Sequence, residues 1–171
     1  ASKRATQVIV QFFDTITTED VTWPLQFDPS LSEEENRLVT CVRLANRQIV
    51  DLGNRSAEHQ GMGTTVVATL FSPRRGKLYV AHVGDSRAYR IRRGVIEQIT
   101  RDHSLVNDYL AAMPDMSEEQ KSELPKNVIT RALGMHEQVA VDIGQFEVEI
   151  DDLFLLCSDG LSGMVEDEQL G

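Results

Sequence analysis

Between residues 64 and 100 the chain offers four strand-like runs, and no link between them exceeds five residues. Residues 64–71 (TTVVATLF) are rich in β-branched side chains, which suit a pleated surface. A turn at 72–76 leads into residues 77–83 (KLYVAHV), and Gly84-Asp85 interrupts the pattern before it resumes at 87–91. Arg92-Arg93-Gly94 then turns into 95–100. Parallel neighbours need a crossover of about a dozen residues or more, so links this short predict an antiparallel meander.

The preceding segment has a different period. Ala5, Val8, Ile9, Phe12, Phe13 and Ile16 fall on one stripe, which predicts a helix over about 3–17. Residues 19–30 hold Trp23-Pro24 and Asp28-Pro29 and read as a connection, because proline pushes its predecessor out of the α region. Ser32 followed by Glu35 is a capping box. It opens a second helix carrying Leu38, Val42, Ala45, Ile49 and Leu52 and ending near Gly53-Asn54. Downstream, 104–113 and 117–124 read as helices, 139–150 alternates as a strand, and 153–157 (LFLLC) reads as a fully buried strand. Glu166-Asp167-Glu168 suits the first turn of another helix. The whole is α+β, with helices packed on antiparallel sheet.

Composition narrows the function. With 171 residues, 41% of them hydrophobic, the chain can form one domain with a real core. Lys and Arg number 17 against 27 Asp and Glu, a net charge of −10, which excludes a duplex-binding role and predicts no nucleic-acid partner. No apolar run approaches the ~20 residues of a membrane span. Cys41 and Cys157 stand far apart with no CxxC, which argues against a zinc site or disulfide framework and places the chain in a reducing compartment, the cytoplasm.

Two acids stand out by position. Asp85 interrupts a run that is otherwise strand, and Asp159 follows the most apolar strand and precedes Gly160. Carboxylates at strand ends suit hard cations such as Mg²⁺ or Mn²⁺, although Asp-Gly after a strand is also a common turn. Other positions carry two readings. His103 is near substrate, or merely precedes Ser104 acting as a helix N-cap. Asp102 divides the same way. Arg87 and Arg131 face a phosphate, or are solvated or ion-paired. His82 reads as a satisfied core histidine and Cys157 as a buried small hydrophobe. Met113, Met116 and Met135 read as gap-filling or flap residues, and Gly61-Met62-Gly63 lacks the lysine and the helix of a phosphate loop.

Five strings occur in a telling order: Gly61-Met62-Gly63-Thr64-Thr65, residues 80–89 (VAHVGDSRAY), Thr100-Arg101-Asp102-His103-Ser104, residues 127–134 (NVITRALG), and residues 155–161 (LLCSDGL). On these the chain resembles the bacterial branch of the metal-dependent (type 2C, PPM) serine/threonine protein phosphatases. The resemblance implies an α-β-β-α sandwich, two antiparallel sheets flanked by helices. It also implies two core Mn²⁺ or Mg²⁺ ions, with a third in some members, and a metal-activated water that attacks phosphoserine or phosphothreonine. Carried over by motif, Asp159 matches a core metal ligand and Asp85 the aspartate of an accessory ion, with Gly160 allowing the turn that aims Asp159. Phosphorylated Ser/Thr proteins and a cognate Ser/Thr kinase system are the implied partners.

The family pattern also places further metal-binding motifs before and after these residues. The expectation is therefore that 1–171 is the central part of a single phosphatase domain, incomplete at both ends and inactive alone, with a flap at about 113–126. The alternative is a non-catalytic domain, or an oligomer exchanging strands through open sheet edges.

Overall fold

The computed structural model describes residues 1–18, 27–125 and 128–170. Helix α1 (Ser2–Thr18) matches the apolar stripe, and α2 (Glu33–Arg55) starts at the expected capping box. The Ser32 hydroxyl accepts from the Glu35 amide, and the Glu35 carboxylate accepts from Ser32 N–H at 2.8 Å. Of the connection expected at 19–30, residues 19–26 lie outside the described part.

The strands are β1 (Val66–Ser72), β2 (Lys77–Val83), β3 (Arg87–Arg92), β4 (Val95–Gln98), β5 (Asp142–Glu147) and β6 (Leu153–Cys157). They do not form one meander. The chain divides at 84–86 into two antiparallel sheets, β1-β2-β5 and β4-β3-β6. The cause is Gly84, whose φ of +107° turns the chain from the first sheet into the second.

Strand β2 shows why the layers pack. Tyr79, Ala81 and Val83 face the helices and join Leu38, Val42, Ala45 and Ile49 in the main core. Leu78 and Val80 face the other way and meet Ala88, Val67, Phe146 and Phe154 between the sheets. Of the expected strand 139–150 only the middle is paired, because β5 bonds to β2 over residues 142–147. Strand β6 is not fully buried: Leu153 is 63% exposed and Leu156 40% exposed. Among the described residues β6 pairs with β3 alone, so it is an edge strand with one edge open.

Helices α3 (Leu105–Ala112) and α4 (Glu118–Glu123) follow their N-caps Ser104 and Ser117. A four-residue helix, α5 (Asp159–Ser162), follows β6 and was not foreseen. The expected acidic helix start near 166 is a single 3₁₀ turn at Asp167–Gln169.

Candidate metal centre

Asp85 lies in the link between β2 and β3, and Asp159 is the first residue of α5, just past β6. Because β6 pairs with β3 in a register that sets Arg87 opposite Cys157, the two ends meet at one margin of the second sheet. Asp85 is pushed above its ordinary value first by burial, and then by the negative charges of Asp159 and Asp102, against the opposing pull of its own backbone N–H and of Arg87.

The surrounding aspartates are already satisfied. Arg87 donates to both oxygens of Asp102 at 2.8–3.0 Å. Arg131 pairs with Asp142, and Arg87 also lies 3.7 Å from Asp167. Among the described residues no cationic side chain forms a salt bridge with Asp85 or Asp159. Two carboxylates at one margin of the sheet, neither held by a salt bridge among the described residues, suit a hard divalent cation.

The glycine beside Asp159 plays a different part from the one expected. Gly160 has no left-handed φ, and a Cβ there would meet only Ser158 Oγ at an ordinary 3.4 Å. The turn does not require glycine at 160, because Asp159-Gly160 is already helical. The tight position is Gly163, where a Cβ would fall 2.8 Å from the Asp159 carbonyl oxygen.

Arg87 is ion-paired. Besides Asp102 it donates to Tyr89 Oη at 3.0 Å, and the Tyr89 hydroxyl donates to Asp167 at 2.8 Å. The pairing with Asp102 raises the Arg87 guanidinium above its ordinary value and keeps it charged. Its guanidinium is thus engaged by Asp102, Tyr89 and Asp167. Asp102 accepts a further bond from Gln98 Nε2 at 2.9 Å. Ser104 is the N-cap of α3, accepting from the Asn107 amide.

A second cluster escaped the sequence reading. His82, His103 and Asp142 bring ligand-type atoms within 4.8 Å of one another, and Arg131 joins them. The imidazoles of His82 and His103 stack, with centroids 4.7 Å apart and planes at 16°. His82 is the satisfied core residue anticipated: it is 5% exposed, and its Nε2–H donates to Arg101 O at 2.8 Å. Burial, followed by the nearby Arg131 charge, holds His103 below its usual value, although Asp142 pulls the other way. Asp142 stays below its usual value because bonds from Arg131 and His103 outweigh the effect of its burial. This set resembles metal ligands by residue type, but its members are committed to one another. His103 Nδ1 accepts the Gly84 N–H at 3.0 Å, so its Nε2 carries the proton and has no lone pair for an ion. The residues involved lie at 82, 103, 131 and 142, and no local spacing marks them as partners.

Cys157 is half-buried, while Cys41 is fully buried with its thiol pushed up to about 12 by burial. Asn127, in the fourth motif string, lies outside the described residues.

Residues 16–108 match the family described as Protein phosphatase 2C. Serine/threonine phosphatase stp of Listeria monocytogenes is 36% identical over 138 residues, which are 81% of this chain and 54% of that protein. The chain thus spans about half the length of this curated relative. The solved serine/threonine phosphatase PstP/Ppp of Mycobacterium tuberculosis superposes with a TM-score of 0.74 at 32% identity, covering 96% of this chain and 65% of that one. The catalytic domain of PstP in complex with two manganese ions gives 0.72 at 30% identity, covering 97% and 64%.

Proposed function

The chain belongs to the protein phosphatase 2C family, and on that footing we propose that the polypeptide containing it is a metal-dependent phosphatase acting on phosphoserine and phosphothreonine in proteins. The observation that carries this reading is the placement of Asp85, in the β2–β3 link, and Asp159, at the start of α5, at one margin of the second sheet, with no salt-bridge partner for either among the described residues. A divalent ion, Mn²⁺ or Mg²⁺, supplies Lewis-acid stabilisation of the charge that develops on phosphoryl oxygens during in-line displacement. Asp159, held at the junction of β6 and α5, and Asp85, held at the junction of β2 and β3, are the residues that would bind and orient it. Arg87 engages Asp102 in a salt bridge, so that carboxylate is committed to the arginine.

Two carboxylates provide too few ligands for a two-ion clamp. The activity is therefore assigned to a polypeptide with further donors, and residues 1–171 alone are expected to hydrolyse little. The flap is placed at 113–126, of which Lys126 lies outside the described residues; Met113, Pro114 and Asp115 are all exposed, which suits a mobile segment. Phosphoproteins and the kinase that makes them are the proposed partners. The two free cysteines suit a reducing, cytoplasmic setting; among the described residues no helix is long and apolar enough to cross a membrane.

Hydrolysis of a phosphothreonine peptide by the whole polypeptide, with Mn²⁺ and with chelator, tests the reading. Activity should require Mn²⁺ and fall nearly to background in Asp159→Asn; equal rates in chelator would refute it.

Strand exchange between two copies is the second reading. It is favoured by the edge strands β1 and β6 and by a cleft of about 250 Å³ between them, lined by Val66, Val67, Leu156 and Cys157. A monomer of the purified chain by light scattering would remove it.

A further inference from the structure

Gly84 immediately precedes Asp85, and one residue grips it from both sides. The His103 backbone N–H donates to the Gly84 carbonyl at 3.0 Å, and the Gly84 N–H donates to His103 Nδ1, also at 3.0 Å. A glycine at φ +107° has more backbone freedom than any other residue, so the direction of the next side chain depends on such external bonds. The imidazole is itself held. Its Nε2–H lies 3.3 Å from Asp142 Oδ2, and Arg131 occupies the other Asp142 oxygen. His82 covers one face of the ring, and the His103 carbonyl accepts from the Thr130 amide at 2.9 Å. The ring is buried, with 6% of the residue exposed.

We propose that His103 is a positioning residue for the cation site: by accepting the Gly84 N–H it fixes the backbone that aims the Asp85 carboxylate, while Asp142, itself held by Arg131, accepts from Nε2–H and so fixes the ring and its tautomer. The inference rests on Asp85 being a cation ligand. It gives the histidine an indirect role, since neither nitrogen is free to meet substrate or metal. It also ties the 128–142 segment, which follows the proposed flap, to the aspartate in the β2–β3 link.

The acceptor requirement is separable from bulk. In His103→Asn the amide oxygen stands where Nδ1 stands and keeps the bond to Gly84. In His103→Gln the polar end stands nearer Nε2, and that bond is lost. Mn²⁺ binding by the whole polypeptide, followed by the electron paramagnetic resonance signal of free Mn²⁺, should weaken on the order of tenfold in His103→Gln, as for other groups that orient ligands without binding the metal. His103→Asn should keep most of the affinity, with both variants checked for a folded melting transition. Binding in His103→Gln as tight as in the unaltered protein, with Asp85→Asn weakened, would overturn the clamp alone. No effect in Asp85→Asn would overturn the site reading, and the role of His103 with it. The ¹⁵N shifts of the His103 ring in the unaltered protein give a readout that needs neither metal nor variant. They should show Nδ1 unprotonated and Nε2 protonated, and a protonated Nδ1 would refute the proposal.

Discussion

Replacing Gly84 by alanine should be among the costliest one-carbon additions to this chain. Two effects add. The φ of +107° lies outside the regions open to L side chains, and holding a residue there costs about 1–3 kcal/mol. The new Cβ would also sit 2.3 Å from Thr65 Cγ2 and 2.6 Å from Thr65 Cβ. Thr65 cannot swing away freely, because its hydroxyl is bonded to Ser86 Oγ at 2.8 Å. Overpacking of that kind costs about 1–3 kcal/mol, so the total is about 4 kcal/mol. Gly76→Ala is the control. It too has a positive φ, +62°, but a Cβ there meets nothing within 4 Å, so only the left-handed penalty of about 1–2 kcal/mol applies. Urea unfolding followed by circular dichroism should place the Gly84→Ala midpoint at least ~1 M below that of Gly76→Ala, given slopes of about 1–3 kcal/mol per molar. Equal losses would show that the space around Gly84 is not closed, and the account of how the chain passes between its sheets would fail.

Asn46→Ala should cost about 1–3 kcal/mol in the same urea assay, because it strands a buried amide. The Asn46 carboxamide, on α2, accepts from Gly134 N–H at 2.8 Å and donates to His136 O and Glu137 O, so hydrogen exchange should quicken at Gly134 first. Unchanged protection there would contradict the tie. Asp152, hydrogen-bonded chiefly by Arg92, is held down at about 2 from an ordinary 3.8. A depressed carboxyl contributes stability that is present above its unfolded value and lost as pH falls through the folded one. The stability gap between the unaltered protein and Asp152→Asn should therefore be constant above about pH 4 and close between pH 4 and 2. A gap that persists unchanged at pH 2 would refute the pairing.

The helices were legible because amphipathic periodicity and capping are local signals: the stripe from Ala5 to Ile16 and the Ser32–Glu35 box place α1 and α2 within a residue or two. Two features of the strands were not. A link as short as 84–86 is equally compatible with a hairpin and with a step from one sheet to another, and only the conformation of Gly84 decides between them. An apolar run such as LFLLC does not say whether one edge or both will be paired, so β6 read as fully buried although Leu153 is 63% exposed. The first strand starts at Val66 rather than Thr64, because Thr64 pairs with Leu133 and Thr65 bonds to Ser86. In the site, Asp85 and Asp159 were marked by strand ends and by the motif strings. The ties of Arg87 to Asp102 and of His103 to Gly84, Asp142 and Arg131 span 15 to 39 residues and leave no periodic trace. Side chains that orient others are found through the fold, not through spacing.

The central claim is that Asp85 and Asp159 share a divalent ion. Anomalous diffraction at the manganese edge, from crystals of the whole polypeptide grown with Mn²⁺, tests it most directly. The account predicts a peak between the two carboxylates, lost in Asp159→Asn, and none at His82, His103 and Asp142. A peak in the histidine cluster, or none beside Asp85 and Asp159, would contradict it.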